Sequence, residues 1–283
     1  MSQVTATQVK ELRDKTGAGI MDSKNALVKA NGNINKAIDI LQESGIAKAV
    51  KKSGRVAAQG MTNIAQKDNN ATIVELNSET DFVSSNKQFL DLLYSLTNKI
   101  LKFQPSDLEG ALKLKTENGT LKSRIMQLSA RTGEKIRLRR FKNVTKQNDE
   151  FFGTYSHTGG QISVISVIKG GNKTVAKDIA MHVAAMNPEY ISRQDIPKEV
   201  IDHQNDVELK AKDMKNKPDN IKEKIVKGRI NKFINQITLL NQPFVKDDNI
   251  SVGDYLKNNS ASVTTFIRYQ VGEEIRKQTD KEV

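Results

Sequence analysis

The segment Asn77-Ser78-Glu79-Thr80-Asp81-Phe82-Val83 packs two carboxylates, two hydroxyls and an aromatic ring into one short polar stretch. With nine Phe, five Tyr and no Trp in 283 residues, a ring set directly after an acid in such a stretch stands out. Two kinds of chemistry fit it. Phe82 can fold back as a hydrophobic staple against the helix that follows. Alternatively it projects as a wedge that enters a partner's pocket, with Asp81 hydrogen-bonding beside it. Spacing alone leaves both open.

Constellations that make or break bonds are missing. There is no Cys, which excludes disulfides, thiolate metal sites, Cys nucleophiles and Cys redox switches. His157, His182 and His203 are scattered, so no zinc cluster is expected. No G-x-x-x-x-G-K-[ST] occurs and no G-x-G-x-x-G follows a strand, so the chain carries no phosphate cradle of its own. Gly159-Gly160 and Gly170-Gly171 read as turns. No G-x-S-x-G, H-E-x-x-H or EF-hand loop is visible, and the adjacent Asp247-Asp248 lack a partner base. The expectation is a binding protein with no catalytic residues, no metal and no cofactor.

A strand before the 77–83 segment and a helix after it must position it. Ala71-Thr72-Ile73-Val74-Glu75-Leu76-Asn77 has strand composition, and Phe89, Leu92, Leu93 and Leu96 fall at helical spacing. Leu121, Ile125 and Leu128 mark another helix, halted by Gly133. Ile136 and Leu138 then alternate with Arg137 and Arg139 in a strand whose outer face is basic. The second half repeats this order. Strands over 152–156 and 162–168 are joined by Thr158-Gly159-Gly160. A helix carrying Val175, Ile179, Met181, Val183 and Met186 follows and ends before Pro188, and a strand returns over 263–271. Element order predicts an α+β chain built on one duplicated unit.

Val200, Val207 and Met214 are spaced by seven, and Ile230, Phe233, Ile234 and Ile237 keep helical periodicity. With Pro218 at the first position of the second helix, they predict a projecting antiparallel helical hairpin. Residues 1–44 predict three short helices, with Thr5 and Gln8 at capping-box spacing and Asn33 capping the third. So small a bundle should lean on its neighbours. Between Gly45 and Gly60, Lys48, Lys51, Lys52 and Arg55 lie without an acid, as a solvated linker, a short basic helix or a contact for phosphates or an acidic protein face.

The chain has 45 Lys+Arg against 33 Asp+Glu, a net +12, and residues 1–140 hold 23 of these bases against 14 acids. That balance suits nucleic acid or an acidic partner. No aromatic interleaves Lys48 to Arg55, which speaks against single-strand binding. No uncharged apolar run approaches the roughly 18 residues of a membrane span. Lys10, Glu11, Arg13 and Asp14 leave no room for a secretory leader. A cytoplasmic protein with no membrane and no DNA partner is expected.

Thr80-Asp81-Phe82-Val83 is similar to the signature of the elongation factor Ts family, the nucleotide exchange factors for elongation factor Tu. Val9-Lys10-Glu11-Leu12-Arg13 with Thr16-Gly17-Ala18-Gly19-Ile20-Met21-Asp22 resembles the family's N-terminal signature. Asn31-Gly32 with Ala37-Ile38, His157 after Tyr155, and Ile179-Ala180-Met181-His182-Val183-Ala184-Ala185 match further motifs. So do Gln242-Pro243-Phe244-Val245 and Phe266-Ile267-Arg268-Tyr269 with Val271-Gly272-Glu273. The motifs run in family order from residue 9 to 274. Ser23 and Gln59 depart from the Cys and Glu more usual there, which puts any role for an acid at 59 in doubt.

The resemblance implies an α+β fold in a definite layout. A ubiquitin-associated-like three-helix domain covers 1–44, and a basic linker covers 45–60. Core subdomain N covers 61–144, and subdomain C covers 145–194 and 237–272, both with antiparallel sheets. A helical hairpin is inserted at 195–236, and a C-terminal helical module covers 273–283. The implied partner is elongation factor Tu, with Asp81 and Phe82 reaching beside its nucleotide and disturbing the Mg²⁺/phosphate site so that GDP leaves. Arg13, Ile20 and Met21 match a surface that docks on the GTPase domain. By type alone they suit a solvated helix charge and the bundle's own core equally well. His157 matches a contact near the phosphates, where a lone strand-end His otherwise suggests a structural role. His182 is expected to pack within its own helix. The competing reading is a basic RNA-binding or ribosome-associated protein using Lys48 to Arg55 and Arg137 to Lys142 on phosphates. On the family reading RNA is not the primary contact, and the basic first half steers the chain onto an acidic partner.

Overall fold

The structure, a computed structural model, describes residues 4–16, 18–51, 54–117, 119–215 and 217–273. It is a mixed helix and antiparallel-sheet α+β chain whose residues divide into two compact units. One runs to Val144 and takes in Thr158–Gln161 and the segment from Tyr269 on; the other is Thr145–His157 with Ile162–Arg268.

The first unit opens with α1 (Ala6–Thr16), α2 (Ile20–Lys29) and α3 (Ile34–Lys51). The expected capping box forms: the Gln8 amide donates to Thr5 Oγ1 at 3.2 Å and the Thr5 amide to Gln8 Oε1 at 3.0 Å. Asn33 caps α3 by accepting the Lys36 amide at 3.0 Å. Leu12, Ala26, Leu27, Ala30 and Ala37 are buried between the helices, a core thin in volume because it is mostly Ala. Of the alternatives for the basic stretch after residue 44, the short helix holds as far as Lys51. The helix continues through Lys51, and a Cβ on Gly45 would lie 3.2 Å from the Ala130 side chain of a later helix. Gly45 is a close-packing position rather than a helix stop, and through it the small bundle leans on its neighbour.

Next, β1 (Gln59–Lys67) and β2 (Asn70–Ser78) pair antiparallel from Gln59↔Ser78 to Lys67↔Asn70. There follow α4 (Asp81–Ser84), α5 (Lys87–Phe103), α6 (Leu108–Lys113), β3 (Lys115–Thr116) and β4 (Gly119–Thr120). Then come α7 (Leu121–Thr132) and β5 (Arg137–Thr145). The sheet order is β1-β2-β5, which makes β2 central and buries it from Ala71 to Ser78. Its Val74 and Leu76 meet Phe89, Leu92, Leu93, Leu96 and Ile100 of α5 and Leu121, Ile125 and Leu128 of α7. Each such side chain contributes roughly 1.5–3 kcal/mol on burial, so β2, α5 and α7 form a stiff platform.

One charge sits inside this sheet. Glu75 is fully buried, pairs with Arg139 at 3.0 Å and Arg140 at 2.6 Å, and accepts the Gly272 amide at 3.0 Å. The Arg140 guanidinium also lies 4.1 Å from the centre of the Tyr269 ring. The returning end of the chain is thereby fastened to the central strand.

The second unit contains β6 (Glu150–His157), β7 (Ile162–Gly170), α8 (Lys173–Met186), α9 (Lys198–Leu209) and α10 (Asp219–Ile237). It ends with β8 (Pro243–Phe244), β9 (Asp247–Ser251), α11 (Val252–Asn258) and all but the last two residues of β10 (Ala261–Gln270). β6 and β7 form an antiparallel hairpin, and the sheet order β10-β7-β6 again sets a third strand beside the hairpin's second strand. Val164 and Ile168 pack with Val175, Ile179 and Val183 of α8 and with Leu239, Phe244 and Leu256.

His182 does not confine its contacts to its own helix. Its Nε2 lies 2.9 Å from Gln242 Oε1, and its Nδ1 accepts the Val245 amide at 3.2 Å. A ring that accepts at Nδ1 carries its proton on Nε2 and is neutral. Burial pushes its pKa below the usual His range, against the smaller upward pull of the Gln242 bond.

The helix pair departs from expectation in detail. Val200, Val207 and Met214 do not share one helix: α9 ends at Leu209, Val207 is exposed, and Met214 is buried in a 3-10 turn, Lys212–Met214. A seven-residue spacing makes a seam only with apolar residues three or four positions on, and here those are His203 and Gln204. Pro218 precedes α10 as its cap rather than opening it. Ile196, Met214, Val226, Ile230, Ile234 and Ile237 form the pair's own core. Residues 274–283 of the expected C-terminal module lie outside the described residues, as do residues 52 and 53 of the expected linker. Among the described residues no helix is long and apolar enough to cross a membrane, and no group of three or more His, Asp and Glu could hold a metal ion.

Candidate functional site

β2 hands the chain to α4 through Ser78, Glu79 and Thr80. Ser78 Oγ donates to the Thr80 carbonyl at 2.9 Å. Thr80 is the N-cap of α4, extended at φ −120°, and its Oγ1 accepts the Val83 amide at 3.4 Å. A four-residue helix cannot maintain itself, because nucleation fixes several residues for one hydrogen bond. Its support comes from the turn between α7 and β5. There Gly133 takes the left-handed C-cap conformation at φ +79°, which glycine adopts without a Cβ clash, and the chain bends towards the loop. The next residue, Glu134, accepts the Glu79 amide at 3.1 Å and the Thr80 amide at 3.0 Å on Oε2, and the Thr80 hydroxyl at 2.5 Å on Oε1. In return Glu79 accepts the Lys135 amide at 2.6 Å and pairs with Arg55 at 3.3 Å. Burial and the neighbouring Arg137 push the Lys135 ammonium below its usual range, against the pull of Glu79.

Consecutive helical residues point about 100° apart, so Phe82 and Val83 cannot share a face. Val83 packs against the α5 core, and Phe82 is left 86% exposed, the most exposed large apolar side chain among the described residues. The staple is Val83, not Phe82. Asp81, one position before the ring, is also exposed, and no other described residue pairs with its carboxylate.

The other sequence-derived candidates stand elsewhere. Arg13 is on the exposed side of α1, and Ile20 and Met21 open α2 at 59% and 64% exposure. None belongs to the bundle core, and none shares a hydrogen bond or ion pair with the 79–83 loop among the described residues. His157 ends β6 in the second unit, exposed, with Tyr155 OH 3.3 Å from its Nδ1 and the two rings stacked at 6.1 Å. Thr80, Asp81, Phe82 and Val83 thus form one constellation, and Arg13, Ile20, Met21 and His157 are separate surface points.

Sequence reasoning missed Glu134 and the role of Glu79. The available signal was that Glu134 is the sole acid among the bases from Arg131 to Lys142. Of those bases, Arg139 and Arg140 are committed to Glu75 inside the fold, which removes them as phosphate ligands. The loop can offer a cleft a fixed aromatic ring and, one residue before it, an exposed carboxylate.

Comparison with known proteins agrees on one family. A family model described as elongation factor TS matches residues 79–273, beginning at the loop just described. The chain is 58% identical over 278 residues to the elongation factor Ts of Oenococcus oeni, covering 98% of this chain and 95% of that one. It is 52% identical over 276 residues to the elongation factor Ts of Leuconostoc mesenteroides, covering 97% and 95%. To that of Lactiplantibacillus plantarum it is 48% identical over 280 residues, covering 99% and 96%.

Proposed function

The chain belongs to the elongation factor Ts family, and on that footing we propose that it releases GDP from elongation factor Tu by pressing Phe82 in beside the nucleotide. It is a nucleotide exchange factor for elongation factor Tu in translation elongation, an exchange factor rather than a catalytic enzyme. The observation that carries the mechanism is the fixed exposure of Phe82. Single exposed apolar residues are common on protein surfaces. This one differs because the Thr80 cap, two carboxylates and the core-packed Val83 fix its direction.

In this reading Thr80 sets the start of α4, Val83 anchors it, and Asp81 presents a carboxylate next to the ring. Phe82 then displaces the elements of elongation factor Tu that organise Mg²⁺ and the phosphates, and GDP leaves. Each tenfold loosening of GDP needs about 1.4 kcal/mol of differential binding. Several powers of ten therefore need more than one contact, and Arg13, Ile20, Met21 and His157 are the further contacts we assign. Exposed apolar surface at Ile20 and Met21 supports that assignment.

We read residues 1–44 as a ubiquitin-associated-like domain whose last helix runs on into the basic connecting segment over 45–60. Residues 61–144, and 145–194 with 237–272, are two related core subdomains; 195–236 is an inserted hairpin and 273–283 a C-terminal module. The shared strand order of the two sheets supports the pairing of the subdomains. The chain acts in the cytoplasm with elongation factor Tu as its partner, without membrane or DNA, and RNA is not its primary contact. The engagement of Arg139 and Arg140 by Glu75 weighs against the RNA-binding alternative. The test is release of labelled GDP from elongation factor Tu by catalytic amounts of the chain. Acceleration is expected; an unchanged rate, as an RNA-binding protein would give, sinks the proposal.

A further inference from the structure

A wedge works only if its direction is set before the partner arrives, because ordering a loop on binding costs affinity. α4 is too short to set its own direction, so the question is what does. Three donors converge on one carboxylate at the head of this helix: the Glu79 amide, the Thr80 amide and the Thr80 hydroxyl, all on Glu134. Their order matters. Because the Thr80 hydroxyl gives its proton to Glu134 Oε1, its lone pairs are left for the Val83 amide. That bond starts the turn which sends Val83 into the core and Phe82 into solvent. Glu134 is itself held firmly. Its carbonyl accepts Ser129 Oγ at 2.5 Å, its amide donates to Thr132 Oγ1 at 3.3 Å, and Gly133 supplies the bend. Glu79 crosses back to the Lys135 amide, so loop and turn are tied in both directions.

We propose that Glu134 is a positioning residue for nucleotide release: through Thr80 it aims Phe82, without itself touching the nucleotide or its metal. The proposal rests on reading Phe82 as the wedge and adds the residue that makes the wedge rigid. A Gln at 134 can still accept the two amides on its one remaining oxygen. It turns an NH₂ towards Thr80, however, and reverses the hydroxyl bond, so it should restore part of the effect and not all of it.

The test compares wild type, Glu134→Ala, Glu134→Gln, Phe82→Ala and the double variant Glu134→Ala/Phe82→Ala. For each, release of labelled GDP from elongation factor Tu is followed across chain concentrations, with a melting curve beside it. Glu134→Ala should lower the saturating release rate about tenfold, or about 1.4 kcal/mol, with a much smaller change in the half-saturating concentration. Glu134→Gln should fall between it and wild type. In the Phe82→Ala background, Glu134→Ala should add no further loss, because a missing ring cannot be misaimed. The proposal is overturned if the two losses multiply, or if Glu134→Ala lowers the melting temperature and leaves the saturating rate intact. Should Glu134→Ala not fold, Glu134→Gln carries the same comparison. A wild type that releases no GDP overturns the parent reading and this one together. A wild type that releases GDP beside an equally active Glu134→Ala overturns this one alone.

Discussion

Replacing Phe82 with Ala removes a ring that is 86% exposed in the free chain. Few internal contacts are lost, so folding stability should move by no more than about 0.5 kcal/mol, the usual range for surface substitutions. In the complex the same change is large. A Phe seated in a pocket buries about 150–250 Å². At about 25 cal/mol per Å², and with the part an Ala would still bury set aside, truncation forfeits roughly 2–4 kcal/mol. That corresponds to about 30- to 1000-fold in GDP release. The assay is stopped-flow release of a fluorescent GDP from elongation factor Tu, with melting curves on the same preparations. A loss of exchange with an unchanged melting temperature supports the wedge. Retention of the acceleration within about threefold would refute it, and so would a loss that follows a fall in melting temperature, because then the ring serves the fold.

Glu75→Gln leaves Arg139 and Arg140 without their buried counter-charge and should cost roughly 3 kcal/mol, near the low end for breaking a buried pair because Arg140 keeps 26% exposure. Urea unfolding measures it, and a cost under about 1 kcal/mol would show the arginines neutralised elsewhere. Ser23 Oγ is buried with no hydrogen-bond partner among the described residues. Ser23→Ala should therefore stabilise the α1–α3 bundle by about 1–2 kcal/mol, read as roughly 5- to 30-fold greater amide protection in those helices. His182 is buried neutral with its pKa pushed down, so the unfolded chain takes up a proton first as pH falls. Stability should thus be full above the unfolded His value, near 6.5, and decline as pH drops through and below it. In His182→Gln that part of the pH dependence should vanish from unfolding curves taken between pH 7 and 5.

The strand composition of 71–77, the helical spacing of Phe89 to Leu96 and the Thr5–Gln8 and Asn33 caps were legible because each is settled within a turn or two of chain. That the third helix runs past the expected boundary at 44 and through Gly45 was not legible, because a helix-internal glycine shows its reason only once the Ala130 side chain against it is known. The Val200–Val207–Met214 spacing misled for a related reason, since one face of a seam was counted without the other. At the site, the motif 80–83 was legible and its geometry was not. Whether Phe82 or Val83 turns inward depends on the helical phase set by Thr80. That phase depends on Glu134, which lies 54 residues away in sequence. Glu75 likewise looked like one polar position in a strand, because its arginine partners are 64 and 65 residues distant. Pairings of that range carry no local signal.

This chain and GDP oppose each other on elongation factor Tu, and linkage makes that opposition quantitative. The factor by which the chain weakens GDP must equal the factor by which GDP weakens the chain. The direct measurement is calorimetric titration of the chain into nucleotide-free and into GDP-loaded elongation factor Tu, set beside the GDP affinity of elongation factor Tu with and without the chain. Binding to the nucleotide-free form should be the tighter, with the two ratios equal. Equal affinity for the empty and GDP-loaded forms would contradict it, because a ligand that does not distinguish two states cannot shift the balance between them.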